Sequence, residues 1–475
     1  MAREYDLVIL GGGTGGYVAA IRASQLGLKT AIVEKEKIGG TCLHKGCIPS
    51  KAMLRSAEVF SLTKKGEEFG VLTSGIELNF KKVQDRKAAI VEQLYNGVQY
   101  LMKQGKIDIY NGFGRILGPS IFSPIPGTIS VEMADGTENE MLIPKNVIIA
   151  TGSRPSTLPN LDIDGTHVLT SDEALEMQEL PNSIIIIGGG VIGIEWASML
   201  ADFGVNVTVI EYADRIIPGE DEDISKELTR LLQIKGIKIV TNAKVLSETM
   251  EKEEEKVLIK AEIAGKEQVF SAEKLLVSVG RKANSENIGL QNTEIELLKN
   301  GAIKVNSSFQ TKESHIYAIG DVIGGLQLAH VASHEGIKAV EHIAGINHDS
   351  IIYDNIPKCI YSSPEVASVG FTEKNAKEYG FQVKIGKFPF KAVGKALVQG
   401  ETEGFVKIVA DEKTNDILGI HMIGPHVTDM ISEAGLARVL DATPWEIGNT
   451  IHPHPTLSEA IGEAALAVDG LSIHI

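Results

Sequence analysis

The apolar residues of this chain change period abruptly, and the changes mark out its elements. Residues 5–10 (YDLVIL) form an unbroken β-prone run, and Gly11-Gly12-Gly13-Thr14-Gly15-Gly16 follows at once. Apolar residues then recur at helical spacing from residue 17 to about residue 26, before a second strand-like run, 30–33, ends at Glu34. Short continuous apolar runs bounded by glycine read as strands buried on both faces. The same order returns far downstream: a run at 183–187, then Gly188-Gly189-Gly190-Val191-Ile192-Gly193, a helical pattern to about residue 203, and a strand at 206–210 ending at Glu211. From first glycine to strand-end acid the spacing is 23 residues in both copies. One such turn is a weak signal, whereas two with matched acids predict two nucleotide-binding folds.

Each residue of the turn has a physical task. Gly11 and Gly188 would permit the tight turn from strand to helix, and Gly13 and Gly190 would let the backbone approach a pyrophosphate. Gly16 and Gly193 would let the helix pack closely on the sheet. Unpaired N–H groups at the helix start hold phosphate oxygens, and Glu34 and Glu211 are placed to accept hydrogen bonds from ribose hydroxyls. A carboxylate at Glu211 repels a 2′-phosphate, so the second site is expected to prefer NAD over NADP. The nearest arginine behind it is Arg215, past Tyr212-Ala213-Asp214.

Other strands end in small residues, where open α/β sheets bind ligands. Residues 147–150 lead into Thr151-Gly152, 275–279 into Gly280-Arg281, and 316–319 into Gly320-Asp321. The charge-dense stretch 248–260 reads as a solvated hairpin. The C-terminal part lacks a glycine fingerprint and alternates more, at 366–371, 405–409 and 417–423, which predicts a separate domain. The expected fold class is therefore α/β: two Rossmann-like dinucleotide-binding domains plus a C-terminal α+β domain.

Composition narrows the class. With 475 residues, 43% of them hydrophobic and 23% charged, the chain has room for two to four ordinary globular domains. Glycine is in surplus, 49 residues or about 10% against a usual ~7%, and the fingerprints absorb part of it. Lys+Arg 46 against Asp+Glu 62 leaves a net charge of −16 with no basic run, which excludes nucleic acid and a polybasic membrane surface as partners. No stretch approaches the ~20 apolar residues of a membrane span, and the opening residues run into a strand without a signal or transit segment. Three cysteines make no disulfide scaffold, so the expected compartment is the reducing cytoplasm.

Two of those cysteines lie five residues apart, in Gly39-Gly40-Thr41-Cys42-Leu43-His44-Lys45-Gly46-Cys47-Ile48-Pro49-Ser50-Lys51. Closeness to Glu34 in the chain places them near whatever the first fingerprint binds. Five apart on a straight helix, two Cα atoms stand roughly 8.6 Å apart, beyond the ~7 Å a disulfide tolerates. A bridge would need a distorted turn, for which Gly46 supplies freedom, and Pro49 biases Ile48 away from the helical region. A small strained ring suits a labile, catalytic disulfide better than a structural one. Zinc would want two further ligands, and Cys359 with His44 does not complete a set, so no metal is expected. Two inert thiols are the other alternative to redox chemistry. Cys359, in Pro357-Lys358-Cys359-Ile360-Tyr361, reads as a buried small hydrophobe.

GGTCLHKGCIPSK at 39–51, the two fingerprints, AIGD at 318–321 and His452-Pro453-His454-Pro455-Thr456-Leu457-Ser458-Glu459 together resemble the flavoprotein disulfide reductase family over essentially the whole chain. Within it the chain is similar to the members that reoxidise the lipoyl arm of 2-oxoacid dehydrogenase complexes and of the glycine cleavage system. The resemblance implies FAD at the first fingerprint and NAD at the second. Family FAD contacts fall on Gly11, Gly13, Gly16, Glu34, Gly40, Thr41, Lys51, Gly114, Thr151, Gly152, Asp321 and Ala329. Family NAD contacts fall on Gly188, Gly190, Gly193, Glu211, Val245 and Gly280. It implies a redox-active disulfide in which Cys42 exchanges with the substrate dithiol and Cys47 faces the flavin as a thiolate. Lys51 would be a cation beside the flavin, paired with Glu195; the bland reading of Glu195 is a surface acid.

The family pattern places the base at His454 and its orienting carboxylate at Glu459, with His452 a structural neighbour. Thr456-Leu457-Ser458-Glu459 is also a capping-box signature, so a helix-start clasp is the bland reading of Glu459, and the two roles are compatible. An imidazole titrating near pH 6.5 suits taking a thiol proton, and a carboxylate would fix its tautomer. In the family a two-fold partner supplies this histidine, which implies a homodimer with shared active sites. Its other implied partners are lipoyl domains and the core or peripheral-subunit-binding domain of a 2-oxoacid dehydrogenase complex. The implied division is 1–151 with 277–347 for FAD, 152–276 for NAD, and 348–475 for dimerisation. Two alternatives stand beside it. A glutathione-reductase-like enzyme would want basic residues where Glu211 stands, and a non-catalytic docking flavoprotein would have no use for Cys42, Cys47 and His454.

Overall fold

The computed structural model of the chain describes residues 3–119, 125–347 and 349–475, so Met1, Ala2 and His348, the first residue of the expected dimerisation domain, lie outside it. Two compact units emerge: Met1–Ala52, Lys81–Ser156 and Gly280–Ile351 form one, and Met53–Phe80, Thr157–Val279 and Ile352–Ile475 the other.

The first unit is built on a parallel sheet. Its central strand, Arg3–Leu10, pairs with Thr30–Glu34 on one side and Glu140–Ile149 on the other. Asp108–Ile116 extends the first side and Ile316–Ala318 the second, both in parallel. Ile129–Met133 runs antiparallel to both Asp108–Ile116 and Glu140–Ile149. The central strand is apolar without alternation because both of its faces are covered. Leu7 and Ile9 pack in one layer with Ala19, Ala20 and Ala23 of the helix Thr14–Gln25. Val8 and Leu10 pack in the opposite layer with Val33, Val131 and Ile149.

The second unit carries the second parallel sheet, ordered Lys238–Val240, Asn206–Ile210, Ser183–Ile187, Lys274–Val277, Val168–Leu169. The charge-dense stretch is a hairpin, Ala243–Lys252 against Val257–Ile263, with Lys266–Ala272 as a third antiparallel strand. It is solvated on one face only, since Val257, Ile259, Ala261 and Phe270 are buried with Ile185, Ile187 and Leu275.

The C-terminal part of this unit is an antiparallel sheet ordered Lys358–Ile360, Glu365–Gly370, Ile417–Gly424, Phe405–Asp411, Val383–Pro389. Here the structure departs from the alternation expected of the sequence. Phe405–Asp411 and Ile417–Gly424 are buried at every residue. Residues of the helices Val427–Val439 and Glu459–Ala467 cover one face, while Ala376 of the helix Glu373–Glu378 packs with Val409 and Leu418 on the other. Among the described residues, no helix is long and apolar enough to cross a membrane, and no group of three or more His, Cys, Asp or Glu side chains is placed to hold a metal ion.

Candidate active site

The two glycine turns agree almost atom for atom. Gly11 takes φ +103° with its absent Cβ only 2.3 Å from the Ala150 carbonyl oxygen, and Gly188 takes φ +107° at 2.4 Å from that of Ser278. A Cβ on Gly16 would fall 2.0 Å from the Gly11 oxygen, and one on Gly193 2.0 Å from the Gly188 oxygen. The middle glycines are different: a Cβ on Gly190 would meet no protein atom within 4 Å, and one on Gly13 only the Gly40 Cα at 4.0 Å. That open space in front of a helix N-terminus is the cradle a pyrophosphate fills. Glu34 accepts from the Gly12 and Glu36 N–H groups at 2.7 and 2.8 Å. Glu211 accepts from those of Gly189 and Ala213 at 2.5 and 2.7 Å. Each acid is therefore a fixed anion at its strand end that also braces its turn.

The cysteine segment is fastened to the first turn. Gly39 N–H donates to the Gly12 carbonyl at 2.8 Å, and a Cβ on Gly40 would lie 2.5 Å from the Gly13 Cα. Cys42 lies in the short helix Gly40–His44, and Cys47 opens the helix Cys47–Lys64. Lys45, at φ −135°, breaks the helix between them, which is the distorted turn the spacing demanded. The expected departure from helix at Ile48 does not occur. Ile48 and Pro49 belong to the first turn of Cys47–Lys64, where a proline has no N–H partner to lose. Gly46 contributes room, not an unusual dihedral, because a Cβ there would press on the Thr41 carbonyl oxygen at 3.1 Å.

Cys42 and Cys47 are both partly buried, and no disulfide joins them in this structure. The hydrogen bond with Cys47 and then burial push the Cys42 thiol far above its ordinary range, against the pull of the Thr14 hydroxyl and the Lys51 charge. The two thiols therefore act as one unit, in which a negative charge on one opposes a second on its neighbour. Thr14, the first residue of the fingerprint helix, was not evident in the sequence as a neighbour of the cysteines. Tyr17 lies on the same helix; burial, then the nearby Cys42, raises its phenol. His44 bonds the Ile38 carbonyl at 2.9 Å and sets its ring edge against Tyr95, so it holds the loop. Cys359 is half-buried against the C-terminal core.

Thr151 and Gly152 follow the strand Glu140–Ile149, and Asp321 follows Ile316–Ala318, so all three stand at strand ends of one sheet. Asp321 accepts from the Ser153 hydroxyl and faces Arg281 Nε at 3.8 Å. Ala329 opens the helix Ala329–Ile343. Gly114 is inside a strand, where a Cβ would lie 2.6 Å from Leu10 Cδ2, so its small size serves the protein's own packing. Val245 lies in the hairpin strand Ala243–Lys252, and Gly280 takes φ +105° with open space around it. Glu195 is not a surface acid. It is 7% exposed in the helix Val191–Asp202 and accepts from the Tyr361 N–H at 2.9 Å.

Near the C-terminus, His454 Nδ1 stands 2.9 Å from Glu459 Oε1, and Glu459 Oε2 accepts from the Thr456 N–H at 2.9 Å. One carboxylate thus clasps the helix start and orients an imidazole. Burial opposes its charge, but the Thr456 and His454 bonds hold the Glu459 carboxyl below its ordinary range. His452 bonds Glu433 Oε1 at 2.8 Å, and this partner raises its imidazole. The His454 side chain remains 77% exposed, an open flank at the centre of an ordered turn.

Residues 5–336 match the pyridine nucleotide-disulphide oxidoreductases, and residues 356–465 match the dimerisation domain of that group. The chain belongs to the pyridine nucleotide-disulphide oxidoreductase family, with its two nucleotide-binding domains and dimerisation domain, and is an oxidoreductase that uses FAD and NAD. It is 72% identical over 474 residues to the dihydrolipoyl dehydrogenase of Bacillus subtilis, covering 100% of both chains. It is 43% identical over 478 residues to that of Zymomonas mobilis, again covering 100% of both. Among solved structures, LpdA from Mycobacterium tuberculosis superposes with a TM-score of 0.88 at 25% identity, over 98% of this chain and 99% of that one. Its relatives of high identity are thus dihydrolipoyl dehydrogenases.

Proposed function

We propose that this chain oxidises protein-bound dihydrolipoyl groups with NAD, giving the lipoyl disulfide, NADH and a proton, as a cytoplasmic homodimer within a 2-oxoacid dehydrogenase complex. The observation that carries the reading is the hydrogen-bonded thiol pair fastened to the first nucleotide turn. Both nucleotides fit the residues present: open space at Gly13 and Gly190, helix starts behind it, and the braced anions Glu34 and Glu211. When bound, FAD supplies a two-electron acceptor for the thiol pair and NAD the final hydride acceptor.

The chain's own residues then divide the work. In the oxidised protein Cys42 and Cys47 form a disulfide. His454 takes the proton from one substrate thiol, and the thiolate attacks the Cys42 sulfur. The Cys42–Cys47 bond breaks and Cys47 departs as a thiolate. The second substrate thiol attacks the substrate sulfur of the mixed disulfide, closes the lipoyl ring and releases Cys42, which takes that thiol's proton. The disulfide re-forms as the pair gives up two electrons and the Cys42 proton, together the equivalent of a hydride, while His454 returns its proton to solvent. Glu459 holds the imidazole tautomer, and the open flank of His454 is the side a two-fold partner would cover, so each protomer's histidine serves the other's cysteines. Lys51 and Glu195 support the flavin side, the FAD and NAD contacts are those named from the family pattern, and lipoyl domains deliver the substrate. The functional division is 1–151 with 277–347, 152–276 and 348–475.

Cys42→Ser and Cys47→Ser are each expected to lower dihydrolipoamide-dependent NAD reduction by about 10³-fold or more with flavin still bound. Surviving turnover in either variant overturns the assignment, and NADPH-driven reduction of glutathione disulfide would establish the glutathione-reductase-like alternative.

A further inference from the structure

Glu459 is faced by three imidazoles. His454 bonds it directly. His452, on the segment preceding the helix, feels its charge but is bonded by Glu433 of the helix Val427–Val439. The third is His474, from the end of the chain, whose charge acts on Glu459. The tail reaches this place because Gly470, at φ +71°, turns the chain after the helix Glu459–Ala467, and Leu471 N–H bonds back to the Leu466 carbonyl. There Glu463, one helical turn beyond Glu459, gathers the tail. Its Oε2 accepts from the Ser472 hydroxyl at 2.7 Å and from the Ile473 N–H at 2.9 Å, while Oε1 meets His474 Nδ1 at 2.6 Å. Four residues apart on one helix, Glu459 and Glu463 are neighbours.

We infer that Glu463 and His474 form a positioning pair for the base: Glu463 engages an imidazole that would otherwise compete with His454 for Glu459. The arrangement repeats the one on the other side, where Glu433 does the same for His452. Each flanking histidine has its own carboxylate, so the charge of Glu459 is left to His454. Burial works against the Glu463 charge, but the bonds from His474 and Ser472 hold that carboxyl below its ordinary range, which keeps it an anion through the working pH. The inference rests on His454 being the base.

The acid limb of kcat/KM for dihydrolipoamide, measured in the FAD-loaded dimer at low ionic strength, tests it. His474→Gln leaves Glu463 an unbalanced anion beside Glu459, favours the imidazolium, and moves the limb to higher pH. Glu463→Gln removes the carboxylate that holds the His474 ring, leaves that ring to draw on the Glu459 charge, and moves the limb to lower pH. Exposed pairs of this kind set the scale at about 0.2–0.7 pH unit, shrinking in high salt. The double variant is expected to return most of the way. A purely structural tail clasp predicts that both single variants, which equally release the tail, move the limb the same way or not at all, and either result overturns the inference. His454→Gln separates this failure from failure of the underlying reading. If the acid limb persists without His454, the base is elsewhere; if it vanishes there but does not move in the tail variants, only the positioning role falls.

Discussion

Gly190 and Gly193 are indistinguishable as letters in a fingerprint and opposite in space. A Cβ at Gly193 would overlap the Gly188 carbonyl oxygen at 2.0 Å and press on Ser278 Oγ at 2.7 Å, whereas one at Gly190 meets no protein atom. Gly193→Ala is therefore expected to cost about 1–3 kcal/mol of stability, read as a lowered Tm. Gly190→Ala should leave Tm unchanged and raise the Kd for NAD about tenfold or more, seen by titration, because the methyl occupies phosphate space. At this scale the sequence was legible wherever spacing alone carried meaning, as with Glu34, Glu211 and the cysteines. Partners that depend on the fold were not. Thr14 reaches Cys42 only because Gly40 lies against Gly13, and Glu195 is buried because the extended chain at Tyr361 caps its carboxylate.

Among the elements, the helix Glu459–Ala467 shows how one side chain can serve fold and chemistry together. Glu459→Gln keeps an acceptor for the Thr456 N–H but loses the anion that faces His454. Dihydrolipoamide oxidation should fall at least about tenfold with Tm nearly unchanged. Glu459→Ala should lose the same activity and, in addition, about 1 kcal/mol of helix-start stability, visible by denaturant titration. The capping-box spacing announced only half of what forms, the Thr456 N–H bond to Glu459; the Thr456 hydroxyl donates to the Pro453 carbonyl, and nothing local could say that the second Glu459 oxygen was engaged as well. The proline at 49 misled for the opposite reason. The rule that a residue before proline avoids helix is local, and a proline in a helix's opening turn escapes it.

Within the second unit, Lys407 ties the nucleotide fold to the C-terminal sheet. It is 2% exposed, and its ammonium lies 2.9 Å from Asp221, 3.1 Å from Asp223 and 2.8 Å from Glu373. In the alternating pattern of its strand Lys407 reads as a solvent-side residue, and only the packing of three other segments onto that face buries it. Burial opposes the charges of Asp221 and Asp223, but Lys407 holds both carboxyls low; Glu373 is held low by Lys377 and then Lys407. Their contribution is complete above about pH 4 and is lost as pH falls through the depressed folded values. Fully buried His421 bonds the Phe371 carbonyl at 2.9 Å and is kept neutral by burial despite Asp221 and Glu220 nearby, with the Lys407 charge opposing protonation as well. Below about pH 6.5 the unfolded chain accepts a proton that this imidazole refuses, so stability declines there too. Tm is expected to fall from pH 7 to 5, with a shallower slope in His421→Gln. Lys407→Met should cost about 3–5 kcal/mol at neutral pH by leaving a buried carboxylate unpaired.

The two turns that hold Glu34 and Glu211 share more than a spacing. In each, the acid takes the N–H of the second glycine and the N–H two residues beyond itself. The same spacing thus builds the same brace twice, so each carboxylate is fixed by its own strand, turn and helix start. The two turns differ in what the chain does beyond the acid. One copy leads into the segment that presents Cys42 and Cys47, and the other into the loop of Arg215. One local design therefore recurs at both turns, and cysteines follow only one of them.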